Sequence, residues 1–262
     1  MPKFLLFVLC CFSSQLIAQG NIHYIANEGI LIESGNHRLL IDALFDDYYE
    51  DYLHPSKDLI KAVNEKKSPY QKIDLFLSTH AHRDHFYSKM VANFLIAHSE
   101  TKFISTQQAI DSLARHTTLF NTIAPQLTSY TKGMNWQKNE NGEIIIGSAF
   151  VRHGGKQNYN VDNLIFVLDV NGKKILHLGD AEMDISHFHK LRLQNEAIDV
   201  ALVPYWFLAY SPGIEIISQQ IRPAQLIAIH YPKVGDPKSL KLIRENFPDA
   251  VVFMKTGEKV EF

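Results

Sequence analysis

Leu77-Ser78-Thr79-His80-Ala81-His82-Arg83-Asp84-His85 is an apolar run that breaks abruptly into three imidazoles and a carboxylate. The residues before it, Ile73 to Leu77, read as a short buried strand, so these donors sit where a strand ends and a loop begins. Alternate side chains of an extended backbone share a side. His80 and His82 can therefore point at one cation, while Asp84 and His85, past the bend, can reach a second. A solvated His-rich turn would account for one His pair, but not for three His and an Asp packed this closely.

His80-x-His82-x-Asp84-His85 after an apolar strand resembles the signature of the metallo-β-lactamase superfamily of hydrolases. That superfamily places a third His on a later strand, an Asp after a Gly, and a last His near the end of another strand. His153, Gly179-Asp180 and His230 stand here in that order. The resemblance implies an α+β fold, the four-layer αββα sandwich, with the site at one edge of the packed sheets. It implies that His80, His82 and His153 hold one metal, that Asp84, His85 and His230 hold another, and that Asp180 bridges them. Nitrogen and oxygen donors suit two divalent ions, Zn²⁺ first and Mn²⁺ or Fe²⁺ also. Two cations sharing one water lower its pKa to about 7 or below and supply hydroxide at neutral pH. Asp84 is implied as the catalytic carboxylate that orients the hydroxide or takes its proton. No Ser elbow or Cys/His pattern competes for the nucleophile's role.

The ligand set narrows the expectation. Diiron electron-transfer members resemble this pattern but carry Glu where His82 stands, and true β-lactamases of the fold generally lack the bridging Asp. Gly29 to Glu33 and Arg38 to Asp42 look like the opening of the branch that includes ascorbate-phosphate lactonases and phospholipid-cleaving phosphodiesterases. Ala43 and the Asp46 to Tyr52 insertion depart from it. The resemblance also implies that Asp42 supports the ligands from behind. The expected activity is cleavage of an ester, lactone or phosphodiester in a small-molecule or lipid-derived substrate. The alternatives are a non-catalytic envelope metal-binding protein, and a β-lactam or acyl-amide hydrolase of the same fold.

Composition permits an ordinary globular chain: 262 residues, 46% apolar, 21% charged and a net charge of -2. No basic block is present, so nothing points to a nucleic-acid surface. Lys3, the apolar run Phe4 to Phe12 and the small residue Ala18 read as a signal peptide over residues 1–18, leaving 19–262 as the hydrolase domain, exported to the periplasm or outside the cell. The run is too short to span a bilayer as a mature helix. Both cysteines, Cys10 and Cys11, fall in it, so the exported chain has no thiol ligand and no disulfide.

Along the chain, strands are expected at Ile22 to Ile25, Gly29 to Glu33 and Arg38 to Ile41, then a loop at Asp46 to Tyr52 that could form part of a substrate mouth, then a helix from Lys57 to Glu65. Met90, Phe94 and Ala97 mark a helical stripe. Ser105 with Gln108 has capping-box spacing before the next helix. His116 to Asn141 receives no assignment beyond joining two halves. Glu143 to Val151 delivers His153, and Leu164 to Val170 pairs with Lys173 to Leu178 across Asn171-Gly172, a hairpin signal. His187 and His189 lie on a helix, where i and i+2 diverge, and read as surface residues; His177 reads as packing. Pro204 to Phe207 is an aromatic loop able to wall a pocket. Ser211-Pro212 starts a helix, Leu226 to Ile229 is a strand, Asp236-Pro237 starts the last helix, and a hairpin about Thr256-Gly257 closes the chain.

Overall fold

Successive apolar residues of the central strands turn to opposite faces, and this sorts them into three cores, one between the sheets and one behind each. Ile30, Ile32, Leu39, Ile41, Leu75 and Leu77 share one cluster with Leu164, Phe166, Ile175, Leu202 and Ile229, whereas their neighbours Leu31, Leu40 and Phe76 pack with helix residues Val91, Phe94 and Leu113. A period of two sends alternate side chains to opposite faces, so a strand apolar at every position is buried on both. In the computed structural model, which describes residues 20–130, 132–133 and 136–262, this pattern resolves into two sheets pressed face to face.

In the first sheet, β1 (Gly20–Ala26), β2 (Gly29–Ser34) and β3 (His37–Ile41) form an antiparallel meander, followed parallel to β3 by β4 (Leu75–Leu77), β5 (Lys102–Thr106) and β6 (Leu127–Tyr130). The second repeats the plan. β7 (Gln137–Asn141), β8 (Ile144–Arg152), β9 (Asp162–Val170) and β10 (Lys173–His177) are antiparallel, and β11 (Val200–Pro204), β12 (Gln225–Ile229) and β13 (Val251–Val252) continue parallel to β10. Helices α1 (Lys57–Asn64), α2 (Ser88–Ala97), α3 (Gln107–His116) and the short α4 (Phe120–Ile123) cover the first sheet. The second is covered by α5 (Ile185–Leu191), α6 (Trp206–Ala209), α7 (Gly213–Glu215, continued by a π-helical turn over Ile216–Ile221) and α8 (Pro237–Asn246). The order of layers is αββα, as expected.

Local expectations fare unevenly. The β9–β10 hairpin turns through Asn171 and Gly172, both at positive φ (53° and 76°), as a two-residue turn of this hand requires. The N-cap of α3 is Thr106, whose hydroxyl accepts from the Ala109 N–H at 3.2 Å, not Ser105; the Ser105 hydroxyl donates to the Ser78 carbonyl and ties β5 to the ligand loop. Pro204 to Phe207 is a strand end and a helical turn and not a loop. The unassigned stretch supplies the edge strands β6 and β7, one to each sheet. The closing hairpin is not formed. Gly257 turns the chain at φ 90°, but β13 before it joins β12, while β14 (Lys259–Glu261) crosses to pair with β1 in the other sheet. Turn chemistry fixes a change of direction; burial decides which edge the next strand completes.

The expected signal peptide and both cysteines lie outside the described residues. Among the described residues no helix is long and apolar enough to cross a membrane.

Candidate metal centre

Strand direction gathers the site. β1, β3 and β4 run one way in the first sheet and β8, β10 and β12 in the second, and their carboxyl ends meet at one edge, joined by bonds such as His230 N–H to the Asn27 carbonyl (2.9 Å) and Leu164 N–H to the Thr79 carbonyl (2.9 Å). Just beyond those ends lie Asp42, His80 to His85, His153, Asp180 and His230. The backbone bends sharply there: Asn27, Asp42 and His230 hold φ of 49°, 44° and 60°, a region that costs a non-glycine residue about 1–2 kcal/mol.

All seven side chains singled out by sequence come together. His153 Nε2 lies 3.1 Å from His82 Nδ1 and 3.3 Å from His80 Nε2, and Asp180 Oδ2 is 3.4 Å from His153 Nε2 and 4.0 Å from His80 Nε2. Tetrahedral ligands at about 2.0–2.1 Å from a zinc ion would stand about 3.3–3.4 Å apart. The second group is Asp84, His85 and His230: Asp84 Oδ2 is 3.6 Å from each imidazole Nε2, and Asp180 Oδ1 is 3.6 Å from His85 and 3.4 Å from His230. Asp180 thus turns one oxygen to each group. Ring nitrogens of His80, His82 and His153 facing one another, and the unpartnered Nε2 of His85 and His230, suit a cation.

The imidazoles of His80, His85 and His153 are aimed from behind. His85 Nδ1 donates to Asp42 Oδ2 at 2.9 Å, and His153 Nδ1 donates to the Gly154 carbonyl at 2.7 Å. Asp42 also accepts from the Thr79 N–H (2.7 Å) and hydroxyl (2.5 Å), so that hydroxyl is free to accept from His80 Nδ1 at 3.0 Å. Holding the Nδ1 proton leaves Nε2 bare toward the centre. His177, as expected, is not a bare ligand: its Nε2 donates to the Glu28 carbonyl and its Nδ1 accepts from the Gly179 N–H. His189 is exposed, whereas His187 is half-buried, against the expectation of a surface residue, and lines a separate hollow with Arg152 and Lys190.

Three residues of the site had no sequence signal. Asn27 donates its amide to the Asp84 carbonyl (3.2 Å) and carboxylate (3.3 Å) while its own carbonyl holds His230, so it clamps two ligands of the second group. Glu28 is fully buried 3.8 Å from His85 Nδ1, and burial together with the carboxylates of Asp180, Asp42 and Asp84 pushes its pKa well up. Asn163 brackets Gly179, donating to the Leu178 carbonyl and accepting from the Asp180 N–H. Gly179 sits at φ 52°, and a Cβ there would lie 2.5 Å from Asn163 Oδ1 and 2.7 Å from Thr79 Cβ. Gly179→Ala is expected to cost about 2 kcal/mol or more and to loosen Asp180, read as a lower melting temperature together with weaker zinc retention against a chelator.

Charge is distributed unequally. Burial, then the neighbouring His153 and His85, push His82 down to about 4; burial pushes His80 well down too. Against its burial, His85 is drawn well up by Asp180, Asp84 and Asp42, and Asp180 is held well down by His230 and His85. In metal-free protein, His82 stays neutral where the unfolded chain protonates near 6.5. The unfolded state then binds more protons, and the stability present above about 6.5 is lost as pH falls toward about 4. Melting temperature of chelated protein should fall across that window, and less so in His82→Gln. Because the neighbouring carboxylates draw the His85 pKa well up, a metal that binds there displaces a proton, so calorimetric zinc titration in buffers of different ionisation enthalpy should show proton release, smaller in His85→Gln.

A cleft of about 500 Å³ reaches this centre, bounded by His153, Asp180 and His230 and by Tyr52 and Trp206. The two rings stand edge-on to His230, at 4.4 and 5.1 Å between centroids.

Residues 21–230 match the sequence model of the beta-lactamase superfamily domain. A metal-dependent hydrolase of Pyrococcus abyssi is 25% identical over 208 residues, 75% of this chain and 84% of that one. Among solved structures, the metallo-beta-lactamase fold protein YhfI of Bacillus subtilis superposes with a TM-score of 0.64 at 14% identity, over 94% of this chain and 100% of that one. Igni18, a metallo hydrolase of Ignicoccus hospitalis, does so with a TM-score of 0.60 at 19% identity, over 93% and 98%. Since the family match runs from β1 to His230 and so takes in β1 to β12 and all seven candidate ligands, the chain belongs to the beta-lactamase superfamily.

Proposed function

We propose that this protein is an exported, metal-dependent hydrolase whose centre holds two divalent ions, zinc in the first instance, and cleaves an ester, lactone or phosphodiester. The observation that carries the reading is Asp180, whose Oδ2 faces the His80, His82 and His153 group while its Oδ1 faces the Asp84, His85 and His230 group. A carboxylate so placed offsets the repulsion between two cations held close together. The metals, when bound, supply a water acidified for attack near neutral pH and positive charge to meet the oxyanion that develops. Asp84, steadied by Asn27, orients that water and takes its proton. His80, His85 and His153 keep their Nδ1 protons on Thr79, Asp42 and Gly154, which fixes the tautomer each needs. The relatives named metal-dependent hydrolases favour the same reading. A storage or structural role is disfavoured because the cleft opens directly on Asp180 and His230. Export rests on residues 1–18 alone, and N-terminal mass spectrometry finding Met1 retained on a soluble cytoplasmic product would remove it.

The test is elemental analysis of zinc-reconstituted protein beside turnover of a panel of esters, lactones and phosphodiesters. Close to two metals per chain with turnover is expected. One metal or fewer would overturn the bridging role of Asp180, and two metals without turnover would leave a binding protein.

A further inference from the structure

The cleft beside the metal centre is poor in cations and rich in apolar surface. Tyr52, Met183, Trp206 and Pro212 line it, and among the described residues no Lys or Arg does. Its one carboxylate apart from the centre, Glu182, is already engaged by Arg152 Nη1 at 3.1 Å and the Tyr159 hydroxyl at 2.5 Å. Arg83, which stands between two of the ligands in sequence, is tied to Asp46 and stacked over Tyr48 and Tyr87, facing a different hollow. Sites for phosphate esters ordinarily add guanidinium or ammonium donors to the metals, because the phosphoryl oxygens carry charge through the whole reaction. Here the charge of two metals would be largely matched by Asp84, Asp180 and an anionic nucleophile, and among the described residues no unpaired Lys or Arg lines the cleft to add to it. A neutral carbonyl suits that balance, and an apolar group bound to it would find Trp206 and Tyr52 as walls.

We propose, resting on the hydrolase reading above, that the substrate is an uncharged acyl ester or lactone with an apolar chain or ring, and that Trp206 and Tyr52 are its specificity-determining residues. In the reaction the oxygen of water bonds to the carbonyl carbon and the bond from that carbon to the alkoxy oxygen breaks. The proton the water gives up passes by way of Asp84 to the departing alkoxide, and the products are an alcohol and a carboxylic acid from an ester, or one hydroxy acid from a lactone.

The sequence contains two tryptophans, and Trp136 lies elsewhere, its indole N–H on the Leu191 carbonyl at 3.1 Å, so Trp136→Phe leaves Trp206 as the only reporter in the cleft. The full chain, with and without zinc, is titrated with octanamide, an uncharged acyl analogue, and with inorganic phosphate. Octanamide should shift Trp206 emission in both forms, and phosphate should not shift it in the zinc-free form. In zinc-loaded protein, kcat/KM should rise at least about tenfold from 4-nitrophenyl acetate to the octanoate, and exceed that for bis(4-nitrophenyl) phosphate. Trp206→Ala and Tyr52→Ala should each cut the octanoate-over-acetate preference severalfold, through KM. Faster cleavage of the phosphodiester, or a flat chain-length profile, overturns this proposal while upholding hydrolysis. No turnover of any ester overturns the hydrolase reading instead, and the octanamide titration then decides the cleft separately: no Trp206 response overturns the apolar-acyl assignment.

Discussion

Asp180→Asn is expected to lower turnover at least about 100-fold while the fold and the six other ligand side chains remain in place. The replacement is nearly isosteric, and Asp180 is held by its backbone N–H on Asn163, which the change leaves intact. What changes is charge. The carboxylate is kept ionised in a buried place by His230, His85 and His153, and it presents an oxygen to each ligand group. An amide offers one oxygen and no charge, so two cations would no longer be held close, and water activation depends on both. Turnover, metal content and melting temperature measured together separate the outcomes: full activity would remove the bridging role, whereas lost stability without any activity to lose would mark the site as structural.

Asp42→Ala should have the second largest effect, 10–100-fold weaker zinc binding and a loss of several degrees in melting temperature. Asp42 is wholly buried and accepts from the Thr79 N–H, the Thr79 hydroxyl and His85 Nδ1. Its removal leaves those donors buried without an acceptor, at about 1–3 kcal/mol each before relaxation, and frees the His85 ring and the Thr79 hydroxyl that supports His80. Competition against a chromophoric chelator checks the affinity; unchanged binding would show that the Asp42 bonds serve the backbone alone.

The first ligand residues were legible in the sequence because donor side chains crowded after an apolar strand are chemically unusual, and the later ones because they stand in the order that the resemblance to the superfamily implies. The layer behind them was legible only in part. Asp42 could be read because the resemblance implies a supporting Asp at that strand end, but Asn27 and Asn163 are single polar residues at turns, indistinguishable by composition from ordinary turn formers until tertiary contact places them on Asp84 and about Gly179. Glu28 has no periodic signal at all. Tyr52 and Trp206 each stood in an aromatic stretch able to wall a pocket, yet only the pairing of sheet edges brings both against His230. Long-range pairing was also what the local hairpin signal at Thr256-Gly257 missed.

That last crossing has a kinetic consequence. Residues 21–23 pair with residues 259–261, so the edge of the first sheet is completed by almost the last residues of the chain. The Gly20 N–H and carbonyl both bond to Phe262, and the Phe262 ring lies where a Gly20 Cβ would be, 2.2 Å from its Cζ. A contact of such sequence separation is made late, because the entropy of closing so long a loop must be met before the pairing rewards it. During vectorial synthesis β1 therefore emerges long before its partner and waits with one edge open, a state in which another extended segment can compete for the same hydrogen bonds. Deleting residues 259–262 makes that waiting state permanent. Such a truncated chain should refold with lower yield as protein concentration rises, even if every ligand of the metal centre is intact.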